Sequence, residues 1–414
     1  MTQSTFNIAP PFGLIQYHRA LELSYGDMNS ARKVSNKKWM SPPAHYHLGS
    51  MKTSPQLSNT RGLSLKPARL LASVSAGLLS AAVSYGMLAT ANAASYTVTT
   101  IPLQSGNAIS LPGVIVGDNT NAGGNPEGFS YSNGKSTDLG VLSVPGVTPS
   151  TESSNANAVN LLGVIVGDST VPGEYTHAVI FHNGTLKDLG TINGGQNSSA
   201  AAINDFGRIV GNSNVSPTDN VTTHAFVTTS TGALKDLGTL SGTGSSAAFG
   251  INDTGVIVGQ SSTANGDTHG FTYQNNAFVD IGTLGGSTSA AVAVNLEGIV
   301  AGYASLASDT NTHAIIYYRG HITDLGVLND GDSFALAIND LAQVVGVSGF
   351  NSTSGIIHAF LYSFGKLEDL NNLIDPSLGI TLTSASAIND AGQIVASGFD
   401  NLGNSATFLL TPSK

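Results

Sequence analysis

The feature that most constrains this chain is a repeat. Asp-Leu-Gly or a close variant begins at Asp138, Asp188, Asp236, Asp280, Asp324 and Asp369, at intervals of 50, 48, 44, 44 and 45 residues. A second motif, Ile-Val-Gly or a variant, ends at Gly117, Gly167, Gly211, Gly259, Gly302, Gly346 and Ala396, which makes seven copies. A unit of this size cannot bury its apolar face alone, so neighbouring copies must pack on one another.

The unit from Ala200 to Leu240 shows four extended pieces: the Ala-rich stretch to Asn204, then Gly207 to Gly211, His224 to Thr228, and Leu234 to Leu240. Each is short and rich in β-branched or alternating apolar residues. Asn204-Asp205-Phe206-Gly207 supplies the turn between the first two, since Asn, Asp and Gly tolerate left-handed backbone. Four strands in about forty-five residues match one blade of a β-propeller.

The ends of the array argue for a closed ring. The seventh copy has Ile388-Asn389-Asp390, Gln393-Ile394-Val395 and Ala406-Thr407-Phe408, but lacks its own fourth strand. A spare strand, Tyr96 to Leu103, precedes the first copy. The expectation is therefore an all-β, seven-bladed propeller of four-stranded blades, closed by the N-terminal strand of the mature chain. The Asp-Leu-Gly strand would be outermost. The small Ala/Ser-rich strand would be innermost, where strands crowd around the axis.

On His224-Ala225-Phe226, Ile203-Asn204-Asp205 and Asp236-Leu237-Gly238-Thr239-Leu240, with their counterparts in the other copies, the chain resembles the HAF-repeat family of extracellular bacterial repeat proteins. The resemblance covers Tyr96 to Pro412. It implies export and a β-rich repeat fold, and it implies no particular reaction. The outer-membrane barrel that follows such repeats in some proteins is not expected after Lys414.

The front of the chain reads as a targeting segment. Lys52, Arg61, Lys66 and Arg69 form a basic region, Leu70 to Leu88 an apolar stretch, and Ala91-Asn92-Ala93 an A-x-A site. Cleavage is expected between Ala93 and Ala94. Residues 51–93 would then be a secretory signal and 94–414 the mature repeat domain. Residues 1–50 would be an unstructured leader, or translation would start at Met51. The expected location is secreted, periplasmic or at the cell surface, with no membrane span left after cleavage.

Charge narrows the partners. Residues 1–93 carry +7 and residues 94–414 carry −17, within a total of −10. So acidic a body repels phosphate backbones, and nucleic acid is not an expected partner. With 0 Cys, a disulfide scaffold, a thiolate metal site, a cysteine nucleophile and a lipidated cysteine are excluded.

The connections from second to third strand read as long, variable loops: 118–126, 169–175, 212–222, 260–268, 303–312 and 348–357. Variable polar loops on a rigid scaffold suit binding. A ligand site is expected on that face, near the channel mouth, for an extracellular carbohydrate or protein. A monomer is expected.

The residues most suggestive of chemistry recur with the repeat. His177, His224, His269, His313 and His358 stand at one position, with Glu127 there in the first copy and Ala406 in the seventh. The Asp column follows 11 residues later, or 12 in the third copy. Across a hairpin this spacing makes His and Asp diagonal neighbours. The expected role is a structural tie resembling the His–Asp network of WD-type propellers. A metal ring is not expected, because ligands must converge on one ion and third-strand positions lie away from the axis. No cofactor is expected. Asp330-Gly331-Asp332 and the Asn/Asp-rich loops offer oxygens to calcium, but neither calcium-loop pattern is present.

The functional expectation is a non-enzymatic binding or surface-interaction scaffold. The alternative is a propeller hydrolase or lyase acting on polysaccharide, which would need a carboxylate pair facing one substrate. Glu152, Glu174, Asp267, Asp309, Asp332 and Asp400 lie outside the repeat columns, and the sequence pairs no two of them.

Overall fold

The computed structural model describes residues 96–413 apart from 122, 143–151, 172–174, 183, 351 and 353–354, all within one compact unit. The expected leader, signal and Ala93–Ala94 cleavage lie outside the described residues. Among the described residues no helix is long and apolar enough to cross a membrane.

The chain folds as an all-β propeller of four-stranded antiparallel blades. In the third repeat the strands are Ser198–Ile203, Ile209–Ser216, Asp219–Thr228 and Leu234–Gly238, paired in chain order. There are five sheets of four strands and one of eight. The eight-stranded sheet holds the strands of the fourth and fifth repeats, which meet at the parallel pair Thr268↔Thr288.

The ring closes as the ends of the array require. Tyr96–Ile101 pairs antiparallel with Ser405–Pro412, from Tyr96↔Pro412 to Ile101↔Thr407. Ile394–Phe399 and Thr381–Ile388 complete that sheet. The sheet then packs on its neighbours at both sides. Tyr96 and Leu382 share a cluster with Val345 and Leu361 of the sixth repeat. Ile101, Ala387 and Val395 share one with Ile109 and Ile115 of the first.

Most of the core lies between sheets. Val210, Ala225 and Val227 of the third repeat pack against Ile257, Phe271 and Tyr273 of the fourth. Third-strand Phe226, Phe271, Phe360 and Phe408 are all fully buried. Each unit thus buries its apolar face only against the next.

The second-to-third connections correct the expectation of long loops. In the third repeat the strands run on through most of 212–222, and only Pro217 and Thr218 lie between Ser216 and Asp219. In the fifth, Val300–Leu306 also continues past its expected end. Ser, Thr and Asn read as loop residues, yet here the ladder satisfies their backbone and neighbouring groups take up their side chains. Asn214, for example, is buried and accepts from Asn197 N at 3.0 Å. Pairing overrides local preference.

Candidate ligand chamber on the propeller axis

A β-bulge aims one residue of the inner strand at the axis in six of the repeats. In the second repeat Ala156 pairs with Gly167 and Ala158 with Val166, so Asn157 has no ladder partner. The same shift falls at Ala201, Phe249, Val292, Leu336 and Ser386. A bulge bends its strand and turns the extra side chain out of the ladder. These six residues, with Asn107 of the first repeat, line an axial cavity of about 540 Å³. The bulge also accounts for the glycine of Ile-Val-Gly. A Cβ on Gly167 or Gly211 would collide with the carbonyl oxygen of Asn155 or Ser199 across the bulge. The seventh repeat carries Ala396 there and keeps the bulge at Ser386.

The chamber is not symmetric. Around the bulge position the repeats read Asn107, Asn157, Ala201, Phe249, Val292, Leu336 and Ser386. One residue past the glycine of the second strand they read Asp118, Asp168, Asn212, Gln260, Tyr303, Val347 and Ser397. Both columns are polar in the first two repeats and apolar in the fifth and sixth. Polar Asn107, Asp118, Asn155, Asn157, Asp168 and Ser199 form one wall. Phe249, Val292, Leu336 and Tyr303 form the other. Tyr303 is backed edge-on by Phe334 at 5.2 Å, and Phe334 by Phe350 at 5.8 Å. Burial raises the Tyr303 hydroxyl pKa.

The two carboxylates of the polar wall also tie sheets together. Asp118 Oδ1 accepts from Ala156 N of the next sheet at 2.9 Å, and Oδ2 accepts from Ser105 Oγ at 3.1 Å and Asn107 Nδ2 at 2.8 Å. Asp168 accepts from Asn155 Nδ2 at 2.7 Å, Asn157 Nδ2 at 3.1 Å and Ser199 Oγ of the third repeat at 2.7 Å.

Burial pushes the Asp118 carboxyl up to about 6 despite the lowering by Ala156 N–H, Asn107 and Ser105, and Asp168 adds a further upward push. The folded state therefore holds a proton that the unfolded chain releases near the ordinary 3.8. Stability from this group is full below that value and is lost as pH rises through about 6. The swing is on the order of 3 kcal/mol. Asp118→Asn keeps an acceptor for Ala156 N, and Asn107 can turn its unpartnered Oδ1 toward the new amide. Urea midpoints of the variant, compared with the parent from pH 4 to 7, should show a flatter profile. Parallel profiles would contradict the assignment.

A second ring closes the opposite mouth. The side chain of the turn Asn, which stands in Ile-Asn-Asp in four repeats and in Val-Asn-Leu at Asn160 and Asn295, reaches the next sheet. Asn160 Nδ2 donates to Asn204 O at 3.1 Å, Asn204 to Asn252 O at 3.1 Å, and Asn252 to Asn295 O at 2.8 Å. Asn295 then donates to Asn339 O at 3.3 Å, Asn339 to Asn389 O at 3.0 Å, and Asn389 to Ser110 O at 3.0 Å. Each Asn Oδ1 also accepts from the backbone N–H four residues on, as Arg208 N to Asn204 at 2.9 Å. The following Asp makes a parallel tie, with Asp205 N donating to Asp253 Oδ1 at 2.9 Å. In the first repeat the Ser110 hydroxyl turns back to Val114 of its own turn. This mouth holds a shallower cavity of about 260 Å³. Ile109, Ile251, Val294 and Ile388 line both cavities and form an apolar waist between them. The larger chamber opens on the other face, beside Pro126 and Thr176 at the starts of third strands.

The His and Asp columns lie on the third and fourth strands, away from the axis. Asp188 pairs opposite Val179, two residues past His177, and His177 Nδ1 is 3.0 Å from its carboxylate. The corresponding separations are 3.0 Å for His224–Asp236, 2.8 Å for His269–Asp280, 2.9 Å for His313–Asp324 and 2.6 Å for His358–Asp369. The Asp carboxylate also accepts from the N–H two residues on: Gly190 at 2.6 Å, Gly238, Gly282 and Gly326 at 2.7 Å, and Asn371 at 2.9 Å. Asp138 holds Gly140 N in the same way at 2.7 Å. Its neighbour is Glu127 in place of His, and burial, with Asp138 second, raises the Glu127 carboxyl pKa. Among the described residues no group of three His, Asp or Glu is placed to hold a metal ion.

The carboxylates singled out from sequence do not meet in the chamber. Asp309 accepts from Ser287 N and Ser305 Oγ, Asp332 from Thr312 N, and Asp400 from Leu402 N and Asn404 N. Glu152 is buried, Asp267 does not line the chamber, and Glu174 lies outside the described residues. The pair that does line it, Asp118 and Asp168, was not singled out. The available signal was one repeat position carrying Asp in two adjacent copies and other residues elsewhere.

No family model and no curated protein matches this sequence. Among solved structures the chain is similar to TolB from Acinetobacter baumannii, with TM-score 0.40 and 12% identity over 72% of this chain and 63% of that one. It is similar to a prolyl endopeptidase, with TM-score 0.46 and 10% identity over 77% of this chain and 51% of the other. A third is YCF48 in complex with a peptide, with TM-score 0.44 and 9% identity over 77% and 97%. The chain thus spans less than two thirds of the length of the first two.

Proposed function

We propose that this chain is an exported, non-enzymatic binding scaffold whose ligand site is the axial chamber. In this reading the eight-stranded sheet counts as two blades, the ring is a seven-bladed propeller, and the chain works as a secreted or periplasmic monomer of the HAF-repeat type. The observation that carries it is the clustering of departures from the repeat. Residues that recur in the copies, such as the His–Asp ties and the Asn ring, hold the scaffold. At two repeat positions, the bulge and the one past the second-strand glycine, the copies differ, and most of these residues line one chamber with a polar wall facing an apolar one. At about 540 Å³ it has the size of a small-ligand site.

The Asp118–Asp168 pair is what favours the alternative, a hydrolase or lyase on polysaccharide. Against it, both carboxylates are engaged in hydrogen bonds that join sheets. The test compares the full chain with Ala201→Phe, which fills the chamber, on a glycan array and in a small-molecule thermal-shift screen. Saturable ligands that the filled variant loses are the expected result, with no release of reducing ends. Ligands retained by the filled variant would move the site elsewhere. Reducing ends released by the parent alone would make it an enzyme.

A further inference from the structure

We infer that the chamber takes a small organic cation, a protonated amine carried on an apolar body. The inference rests on the chamber being the binding site and names what it selects. The polar wall has used most of its donors internally. Asn107 Nδ2 donates to Asp118 Oδ2 at 2.8 Å and to Ala156 O at 2.9 Å. Asn157 Nδ2 donates to Asp168 Oδ2 at 3.1 Å and to Ala200 O at 2.9 Å. Ser199 Oγ donates to Asp168 at 2.7 Å.

What remains on this wall is acceptor capacity. An ionised carboxylate has about four acceptor sites, and the bonds above leave each Asp short of that number. An ammonium group brings three donors and no acceptor, so it matches such a wall. A hydroxyl also brings an acceptor that needs a donor in return. An anion would meet two carboxylates, and no Lys, Arg or His lines the chamber to offset them.

The facing wall sets the rest of the ligand. Phe249, Val292 and Leu336 present carbon to the cavity, and an apolar body is stabilised there by leaving water. The net charge of the repeat body, −17 over residues 94–414, draws cations toward the mouth before contact.

The test titrates the full chain calorimetrically at neutral pH with phenethylamine, and with phenethyl alcohol as the neutral counterpart. The amine should bind saturably and at least ~10-fold more tightly than the alcohol. Asp168→Asn should shrink that preference, with Asp118 left as the one carboxylate, while Phe249→Ala should weaken both probes. If Asp168→Asn fails to fold, the parent still decides. Its amine affinity should rise as pH passes through about 6, where Asp118 ionises beside Asp168, and its alcohol affinity should not. Equal binding of the two probes, a preference unchanged by Asp168→Asn, a pH-independent amine affinity or no binding of either would overturn the inference. If the probes fail but glycan or other neutral ligands are lost in Ala201→Phe, only the cation reading falls. If the amine binds Ala201→Phe unchanged, the chamber reading falls as well.

Discussion

Deleting residues 96–103 is expected to abolish cooperative folding of the ring. Tyr96, Ile101 and Leu103 are all buried, and the first two anchor clusters on opposite sides of the closing sheet. Burial of three such side chains contributes roughly 5–8 kcal/mol. The whole stability of a typical domain is about 5–15 kcal/mol. The deletion also strips Ser405–Pro412 of its ladder partner, exposing a strand edge prone to pairing with other chains. Urea unfolding should lose its sharp transition, and size-exclusion profiles should shift toward larger species. A peptide of sequence YTVTTIPL added in trans should restore the transition in part, because it supplies the same edge. A truncated chain with an unchanged midpoint would show that the ring does not depend on its closing strand.

Asn252→Ala is expected to destabilise by about 2–5 kcal/mol. Its side chain serves two sheets at once. Oδ1 accepts from Val256 N at 2.9 Å within its own turn, and Nδ2 donates to Asn295 O at 2.8 Å in the next sheet. Truncation leaves Val256 N unsatisfied at a site that is 5% exposed, which costs its desolvation penalty in full, and removes the link to Asn295 O, which keeps only Gly298 N at 3.0 Å. Asn252→Ser separates the two roles. Ser110 shows that a hydroxyl can accept in the turn, from Val114 N at 3.3 Å. The Ser variant should therefore recover the turn but not the link, and fall between parent and Ala in thermal melts. Equal loss in Ser and Ala would leave the turn bond with no weight. No loss in Ser would remove the link from consideration.

Much of this fold is legible in the sequence because the repeat states it several times. The strand order follows from four pieces per unit, and closure follows from the strand missing after Phe408 and the spare one at Tyr96. The diagonal placement of His177 and Asp188 follows from hairpin arithmetic. Three features are not legible. The Ile-Asn-Asp motif reads as turn residues, and nothing local shows that Asn204 also reaches Asn252 in the next sheet. The bulge at Asn157 depends on how tightly Gly167 meets the inner strand, which is a tertiary fact. Without the bulge, strict alternation misassigns which inner-strand residues face the axis. The chamber was therefore hidden, and with it the Asp118–Asp168 pair. Ser, Thr and Asn after the second strand also read as loop, although much of that stretch remains in the ladder.

The bulge gives six of the inner strands one residue that belongs neither to the His–Asp ties nor to the turn Asn series. Some of these residues also join sheets: Asn157 bonds Ala200 O, and Phe249, Val292 and Leu336 pack on Ala290, Tyr303 and Phe334. The outer His–Asp ties rest on other positions, and the Asn series on the turn. A change at Ala201 alters what the axis offers and leaves the His–Asp ties and the Asn series in place. The array can thus rewrite its interior one copy at a time, by point substitution, without renegotiating its architecture. Repetition supplies a constant frame, and a single non-repeating site per copy is where lineages of such a chain can come to differ in what they hold.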